Sequence, residues 1–153
     1  MESIPEAQVK RKLLVIDDQR TILETLDAML TNAGYRVSCV PSGEAALSAA
    51  RLTIFDAALI DINMPIMDGF ETAFRLREQS ERRGQTIRMW HMTGVGGPEI
   101  ESRSAQSGVM GLLLKPFGVA ELCRVLEEGF TAPVPPFSAN FPAAIRSKAD
   151  NSG

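Results

Sequence analysis

Five short apolar segments recur along the chain, and a stretch with helical periodicity follows each of them. The segments cover residues 13–16, 35–40, 57–60, 87–92 and 109–114. Strands that alternate with helices through short connections form a parallel sheet, because right-handed crossovers place the helices on both of its faces. The pattern therefore predicts an α/β fold with a doubly wound, five-stranded parallel sheet built from five strand-helix units.

The predicted domain covers residues 12–130 and lies between two segments of different composition. Residues 1–11 form a polar leader. After Phe130 the helical periodicity stops, and four of the nine prolines fall within residues 131–153. Clustered prolines without periodicity favour disorder with polyproline II character. We therefore expect residues 131–153 to form a proline-rich, disordered tail rather than a second domain.

Composition and charge exclude several classes of protein. The 153 residues are 44% hydrophobic and 23% charged, which is typical of one soluble domain. The net charge of −3 argues against nucleic acid or an anionic membrane as a partner. Because no apolar run approaches the roughly 20 residues that span a bilayer, and no signal peptide is present, we expect a cytoplasmic protein. Cys39 and Cys123 lack the spacing of a disulfide framework or zinc site.

Polar residues stand at the carboxyl ends of four predicted strands. They are Asp17 and Asp18 after the first strand, Asp61 after the third, Thr93 after the fourth and Lys115 after the fifth. The carboxyl ends of parallel strands lie along one edge of the sheet, where ligands bind, so we expect these side chains to converge. Three carboxylates in one place repel one another unless a proton or a cation intervenes. Oxygen ligands without a thiolate or a nearby histidine favour Mg²⁺.

This set of groups suits the transfer of a phosphoryl group to an oxygen nucleophile. Such a transfer requires an in-line nucleophile and cations around the phosphoryl oxygens. Asp61 is the best candidate for the nucleophile because it stands alone before a loop, whereas Asp17 and Asp18 are paired and better suited to holding a metal. Lys115 would act as a point charge on the phosphoryl oxygens.

Four motifs resemble those of the receiver domains of bacterial two-component response regulators. The motifs are LLVIDDQ from residue 13, ALIDINMPIMDG from residue 58, HMTG from residue 91 and LLLKPF from residue 112. The resemblance covers about residues 12–130. It implies a flavodoxin-like fold with strand order 2-1-3-4-5 and a cis peptide bond between Lys115 and Pro116.

The resemblance also implies a role for each metal-site residue. Asp61 would accept the phosphoryl group and contribute to the metal site. Asp18 would bind Mg²⁺ directly, Asp17 would assist largely through water, and the main-chain carbonyl of Asn63 would complete the protein ligands.

Thr93 and Lys115 would contact the phosphoryl group, by the same resemblance. One residue departs from the family pattern, since Leu112 stands three positions before the lysine, where the family usually has an aromatic residue. A leucine has no ring to swing when Thr93 moves. We therefore favour the glycine-rich loop 94–97 and the polar helix after Pro98 as the parts that would change on phosphorylation.

Three functions remain open from the sequence. The favoured one is a stand-alone receiver that takes a phosphoryl group from a histidine kinase or phosphotransfer protein and signals to an unknown target protein. A phosphorelay shuttle or phosphate sink is the second. The third is an enzyme acting on a small substrate, but the second acid that such an enzyme needs is replaced by Asn63. The only histidine, His91, is expected to be structural because a strand interior gives poor access to a reacting group.

Overall fold

The computed structural model describes residues 10–136, in which five strands alternate with five helices. In chain order the elements are β1 Lys12–Ile16, α1 Arg20–Asn32, β2 Arg36–Val40, α2 Gly43–Leu52, β3 Ala57–Asp61, α3 Gly69–Arg82, β4 Arg88–Thr93, α4 Pro98–Gln106, β5 Gly111–Leu114 and α5 Val119–Thr131. All neighbouring strands pair in parallel, in the order β2-β1-β3-β4-β5. The predicted α/β fold and the strand order implied by the resemblance are both confirmed.

Apolar side chains of the sheet point alternately to its two faces and form two cores. Leu13 and Val15 of β1 pack with α1 and α5 on one face. Leu14 and Ile16 pack with α2 and α3 on the other. Every residue of β3 is buried, as expected for a central strand covered on both faces. The two cores hold β1, β3 and β4 side by side, so the residues that follow these strands are fixed at one edge of the sheet.

Local signals in the sequence set where two helices begin. The Ser42 side chain accepts a hydrogen bond from the main chain of Ala45 and caps α2, and Asp68 caps α3 by accepting from Glu71. The fifth strand is shorter than predicted and begins at Gly111 rather than Val109. Val109 is buried all the same, so its apolar character reflects packing rather than strand pairing.

The predicted leader and tail fall largely outside the described residues. Residues 1–9 of the leader and 137–153 of the tail lie outside them. Thr131 belongs to α5, and residues 132–136 continue beyond it. Among residues 10–136, no helix has the length and hydropathy of a membrane span.

Candidate functional site

Three carboxylates converge at the carboxyl edge of the sheet. One oxygen from each of Asp17, Asp18 and Asp61 lies within 4.8 Å of the others. The pairing of Ile16 with Ile60 places the ends of β1 and β3 side by side, which brings the aspartates together. The structure thus brings together the acids that the sequence places after two different strands.

Lys115 supplies a positive charge to this cluster from the end of β5. Its Nζ atom donates to Asp17 Oδ2 at 2.6 Å and to Asp61 Oδ1 at 3.3 Å. The Lys115 main-chain N–H donates to the Thr93 carbonyl at 2.8 Å, and the peptide bond to Pro116 is cis, as the resemblance implied. Burial favours the neutral amine, but the hydrogen bond and charge of Asp17, with a contribution from Asp61, raise the pKa of Lys115 above its ordinary value.

Asp61 carries a destabilised negative charge. Burial is the main cause that raises the pKa of this carboxyl group, and the nearby charge of Asp17 adds to it. Lys115 acts in the opposite direction but does not cancel the increase. A second cation at this edge of the sheet would therefore favour ionised Asp61.

The donor atoms fit a hard divalent cation with open coordination positions. Both oxygens of Asp17 already accept hydrogen bonds, from the Gln19 main chain and from Lys115. Asp18 is exposed, and its carboxylate accepts no hydrogen bond from residues 10–136. Asn63 is also exposed, two residues after Asp61. The ligands available are oxygens only, and Mg²⁺ prefers such a set, with water completing its coordination shell.

Thr93 lies at the edge of the site but faces the following loop. The residue is buried at the end of β4. Its hydroxyl donates to the Val95 carbonyl at 3.0 Å and accepts from the Val95 N–H at 3.2 Å. The hydroxyl would have to give up these two bonds to contact a group on Asp61, so its expected phosphoryl contact stays a prediction.

Gly69 fixes the beginning of α3 against the main chain of Asp61. A Cβ atom at Gly69 would lie 2.4 Å from the Asp61 carbonyl oxygen and 2.6 Å from Ile62 Cα. The Gly69 N–H also donates to the Ile62 carbonyl at 2.9 Å. Only glycine allows this close approach, so the glycine of the MDG motif has a steric function that sequence reasoning did not assign to it.

His91 links β4 to two helices that flank the site. The ring is fully buried, with Nε2 at 3.0 Å from the Gly69 carbonyl oxygen and Nδ1 at 2.8 Å from Ser104 Oγ. Burial lowers the pKa of His91 to about 4, although the Gly69 bond and Asp68 oppose that shift. The ring is therefore neutral, and since a carbonyl only accepts, Nε2 donates to Gly69 and Nδ1 accepts from the Ser104 hydroxyl. The ring is packed inside the structure, as predicted for His91, whereas its partner Ser104 was not predicted.

Leu112 occupies the position at which the resemblance implies an aromatic residue. It is half-buried and packs against a cluster formed by Ile62, Phe70 and Phe74, together with Ile100 of α4. The side chain therefore packs with the loop after Asp61 and with α3, against the same cluster as Ile100.

The known proteins that resemble this chain are of one kind. A family model described as the response regulator receiver domain matches residues 13–127. The chain belongs to this family. Receiver domains are the signalling modules of two-component systems, and the acidic cluster fits the Mg²⁺ site that the family uses.

Among curated relatives of the receiver domain, the virulence sensor protein BvgS of Bordetella pertussis is 35% identical over 84% of this chain and 11% of its own length. The transcriptional regulatory protein TctD of Salmonella typhimurium is 34% identical over 72% of this chain and 48% of its own length. The chain therefore spans less than half of either relative, and both similarities concern a receiver segment.

Solved receiver structures share the fold over nearly their whole length. The chemotaxis protein CheY4 of Vibrio cholerae superposes with a TM-score of 0.73 at 31% identity, over 79% of this chain and 99% of that one. The receiver domain of the sensor histidine kinase PA1611 of Pseudomonas aeruginosa gives a TM-score of 0.72 at 28% identity, over 81% of this chain and 100% of that one. That structure has a magnesium ion coordinated in its active-site cleft.

Proposed function

We propose that this chain acts as a response-regulator receiver that accepts a phosphoryl group on Asp61 and signals through protein contacts in the cytoplasm. The donor is a phosphohistidine on a sensor kinase or a histidine phosphotransfer protein. The convergence of Asp17, Asp18 and Asp61 around the Lys115 ammonium is the observation that carries this proposal.

The reaction is a transfer of one phosphoryl group between two side chains. An oxygen of the Asp61 carboxylate attacks phosphorus, the bond from phosphorus to the donor histidine nitrogen breaks, and the histidine leaves with the electron pair. The Lys115 ammonium, at 3.3 Å from Asp61, stabilises the negative charge of the phosphoryl oxygens. Thr93 contacts the same oxygens once its hydroxyl leaves Val95.

Mg²⁺ fits the site, with Asp18, Asp61 and the Asn63 carbonyl as ligands and Asp17 assisting largely through water. When bound, it supplies positive charge next to the reacting oxygens. Asp17 contributes mainly by holding Lys115 in place, since the ion pair between them is the shorter of the two that Lys115 makes. Asn63 offers no acid-base group, which favours a signalling module over an enzyme for small substrates.

The experiment is phosphorylation of the full chain by acetyl phosphate with Mg²⁺, followed by intact-mass measurement and hydroxylamine treatment. The wild-type chain should gain one hydroxylamine-sensitive phosphoryl group, and Asp61→Asn should gain none. Asp56→Asn is the matched control, because Asp56 stands at the opposite end of β3, where its carboxylate accepts from the Lys12 main chain at 2.7 Å. Labelling of Asp61→Asn at the wild-type level would refute the proposal.

A further inference from the structure

Hydrogen bonds hold the end of α5, and the residue that follows it, against the sheet. The guanidinium of Arg88, on β4, donates to the Gly129 carbonyl at 3.0 Å and to the Ala132 carbonyl at 3.3 Å. The Gly129 carbonyl lies in the last turn of α5 and also accepts from the Ala132 N–H at 3.3 Å, and Ala132 is the residue that caps the helix. Arg88 therefore fixes the end of α5 and directs the residues that follow.

The next four residues run along the surface from α5 towards α4. Val134 lines a small groove together with Arg77 and Ile87. Nη1 of Arg77 then donates to the Pro135 carbonyl at 2.6 Å and to the Gly108 carbonyl at 3.4 Å. A Cβ atom at Gly108 would lie 3.2 Å from the Pro135 oxygen and 3.3 Å from the Pro136 carbonyl carbon. The tail thus contacts the turn between α4 and β5 closely.

Pro135 forms one end of a larger groove, here named the α4–β5 groove. It is lined by Glu101, Ser104 and Ala105 of α4, by Met110 and Leu112 beside them, and by Pro135 itself, and has a volume of about 300 Å³. Most of its lining surface is apolar. The groove therefore has room for large apolar side chains, and the last described residues of the chain stand at its entrance.

The residues that follow Pro136 match this groove in chemistry and in reach. Phe137 is the next residue, and Phe141 and Ile145 add two large apolar side chains at four-residue spacing. Arg146 and Lys148 then provide positive charge, and the acidic side chain of Glu101 is exposed at the groove. A segment attached next to its site has an effective concentration of the order of millimolar, so weak contacts are enough for binding.

We propose that residues 137–145 of this chain occupy the α4–β5 groove, with Phe137 and Phe141 as the apolar anchors. The tail then acts as an intramolecular ligand that covers the α4–β5 face and excludes other proteins from it. The placement of Pro135 carries this inference, which does not rest on the proposed phosphorylation of Asp61.

The test compares full-length chains by NMR. Amide chemical shifts of residues 101–112 should differ between the wild-type chain and Phe137→Ser/Phe141→Ser, while Ser138→Ala/Asn140→Ala, which keeps both anchors, should match the wild type. Identical shifts in the wild type and the Phe137→Ser/Phe141→Ser variant would overturn the proposal. Shifts that depend on protein concentration would overturn it as well, since the occupant would then be a second copy of the chain.

A second experiment tests the same groove by measuring the binding of a separate tail peptide. A fluorescent peptide of residues 136–149 should bind the Phe137→Ser/Phe141→Ser chain at least fivefold more tightly than the wild type, whose own tail competes. Adding Ala105→Glu, at an exposed position that lines the groove, should abolish peptide binding. Adding Glu101→Lys should weaken it and serves as a second groove variant if Ala105→Glu disturbs folding. Equal peptide affinity for the wild type and the variant lacking both anchors would refute the intramolecular contact.

Discussion

The Oγ atom of Ser104 lies 2.8 Å from Nδ1 of His91, so a side chain of α4 is hydrogen-bonded to a buried ring on β4. The other nitrogen of the ring binds the Gly69 carbonyl, and Gly69 packs on the main chain of Asp61. A continuous series of contacts therefore runs from Asp61 to α4.

Replacing Ser104 by alanine should destabilise the fold by about 1–3 kcal/mol. The change leaves Nδ1 of His91 buried without a donor, and an unsatisfied buried polar atom costs about that much. The measurement is urea unfolding at pH 7.5. Ser102→Ala, on an exposed position of the same helix, should change stability by less than about 0.5 kcal/mol. Equal losses in the two variants would contradict the importance of the His91 contact.

Stability should fall as the pH drops from about 6.5 towards 4 because of His91. The folded chain keeps the ring neutral, with a pKa lowered to about 4, whereas the unfolded chain binds a proton near pH 6.5. Over this range the unfolded state binds more protons, so stability decreases with falling pH, by about 2 kcal/mol between pH 8 and pH 5. The raised pKa of Asp61 acts in the opposite direction.

The His91→Gln variant isolates this effect, because Asp61 and the other carboxyl groups are the same in both chains. Subtracting its unfolding free energy from that of the wild type at each pH should leave a difference that changes between pH 6.5 and 4. A difference that stays constant over this range would show that the buried ring titrates normally.

Alanine should be tolerated less well at Gly108 than at Gly84. Both glycines have positive φ, +75° and +67°, so each substitution introduces backbone strain of about 1–2 kcal/mol. Nothing lies within 4 Å of a Cβ at Gly84, whereas a Cβ at Gly108 would meet Arg77 and Pro135. Thermal or urea unfolding should therefore show a larger loss for Gly108→Ala. Equal losses would mean that the tail does not pack against this turn in solution.

Replacing Ile66 by asparagine should stabilise the protein by about 1 kcal/mol. Ile66 has a φ of 71°, which a β-branched residue rarely adopts, and asparagine tolerates that conformation. Its side chain is 88% exposed, so little apolar burial is lost. Ile54→Asn is the control, because Ile54 is also exposed, at 59%, but has no positive φ. A gain in both variants would point to a general effect of surface polarity.

Mg²⁺ should raise the melting temperature of the wild-type chain. A ligand that binds only the folded state raises the free energy of unfolding by RT ln(1 + [L]/Kd). This increase is about 2.7 kcal/mol when the free ligand concentration is 100 times Kd. Asp18→Asn should lose most of the increase, since the Asp18 carboxylate is exposed and accepts no hydrogen bond within residues 10–136. Glu99→Gln, on α4, should keep it. An equal increase in Asp18→Asn would rule out Asp18 as a ligand.

The fold and the acidic site could be predicted because they depend on periodic patterns. Buried parallel strands are continuous apolar runs, and the rule that ligands bind at their carboxyl ends brings together Asp17, Asp61 and Lys115 without any coordinates. The spacing of apolar residues also placed His91 inside a strand. In each case the prediction depends on the pattern of residues within a short segment of the sequence.

Other features could not be predicted, because they join residues far apart in sequence through distances that only the packed structure defines. The Ser104 contact with His91 depends on how α4 lies on the sheet. The approach of Gly69 to Asp61 depends on the exact path of a loop. The contact between Arg77 and Pro135 crosses 58 positions, and composition alone suggested that residue 135 belongs to a disordered tail.

The position of Pro135 also determines how the protein can be attached to other molecules. A fluorescent protein or affinity tag joined closely behind residue 136 would start beside α4 and could obstruct that face by its bulk. The amino end of β1, at Lys12, lies at the end of the strand remote from Asp17, since the strand runs between the two edges of the sheet. A tag on the amino-terminal side, or immobilisation through it, would start at the edge of the sheet opposite the acidic site and leave that site accessible.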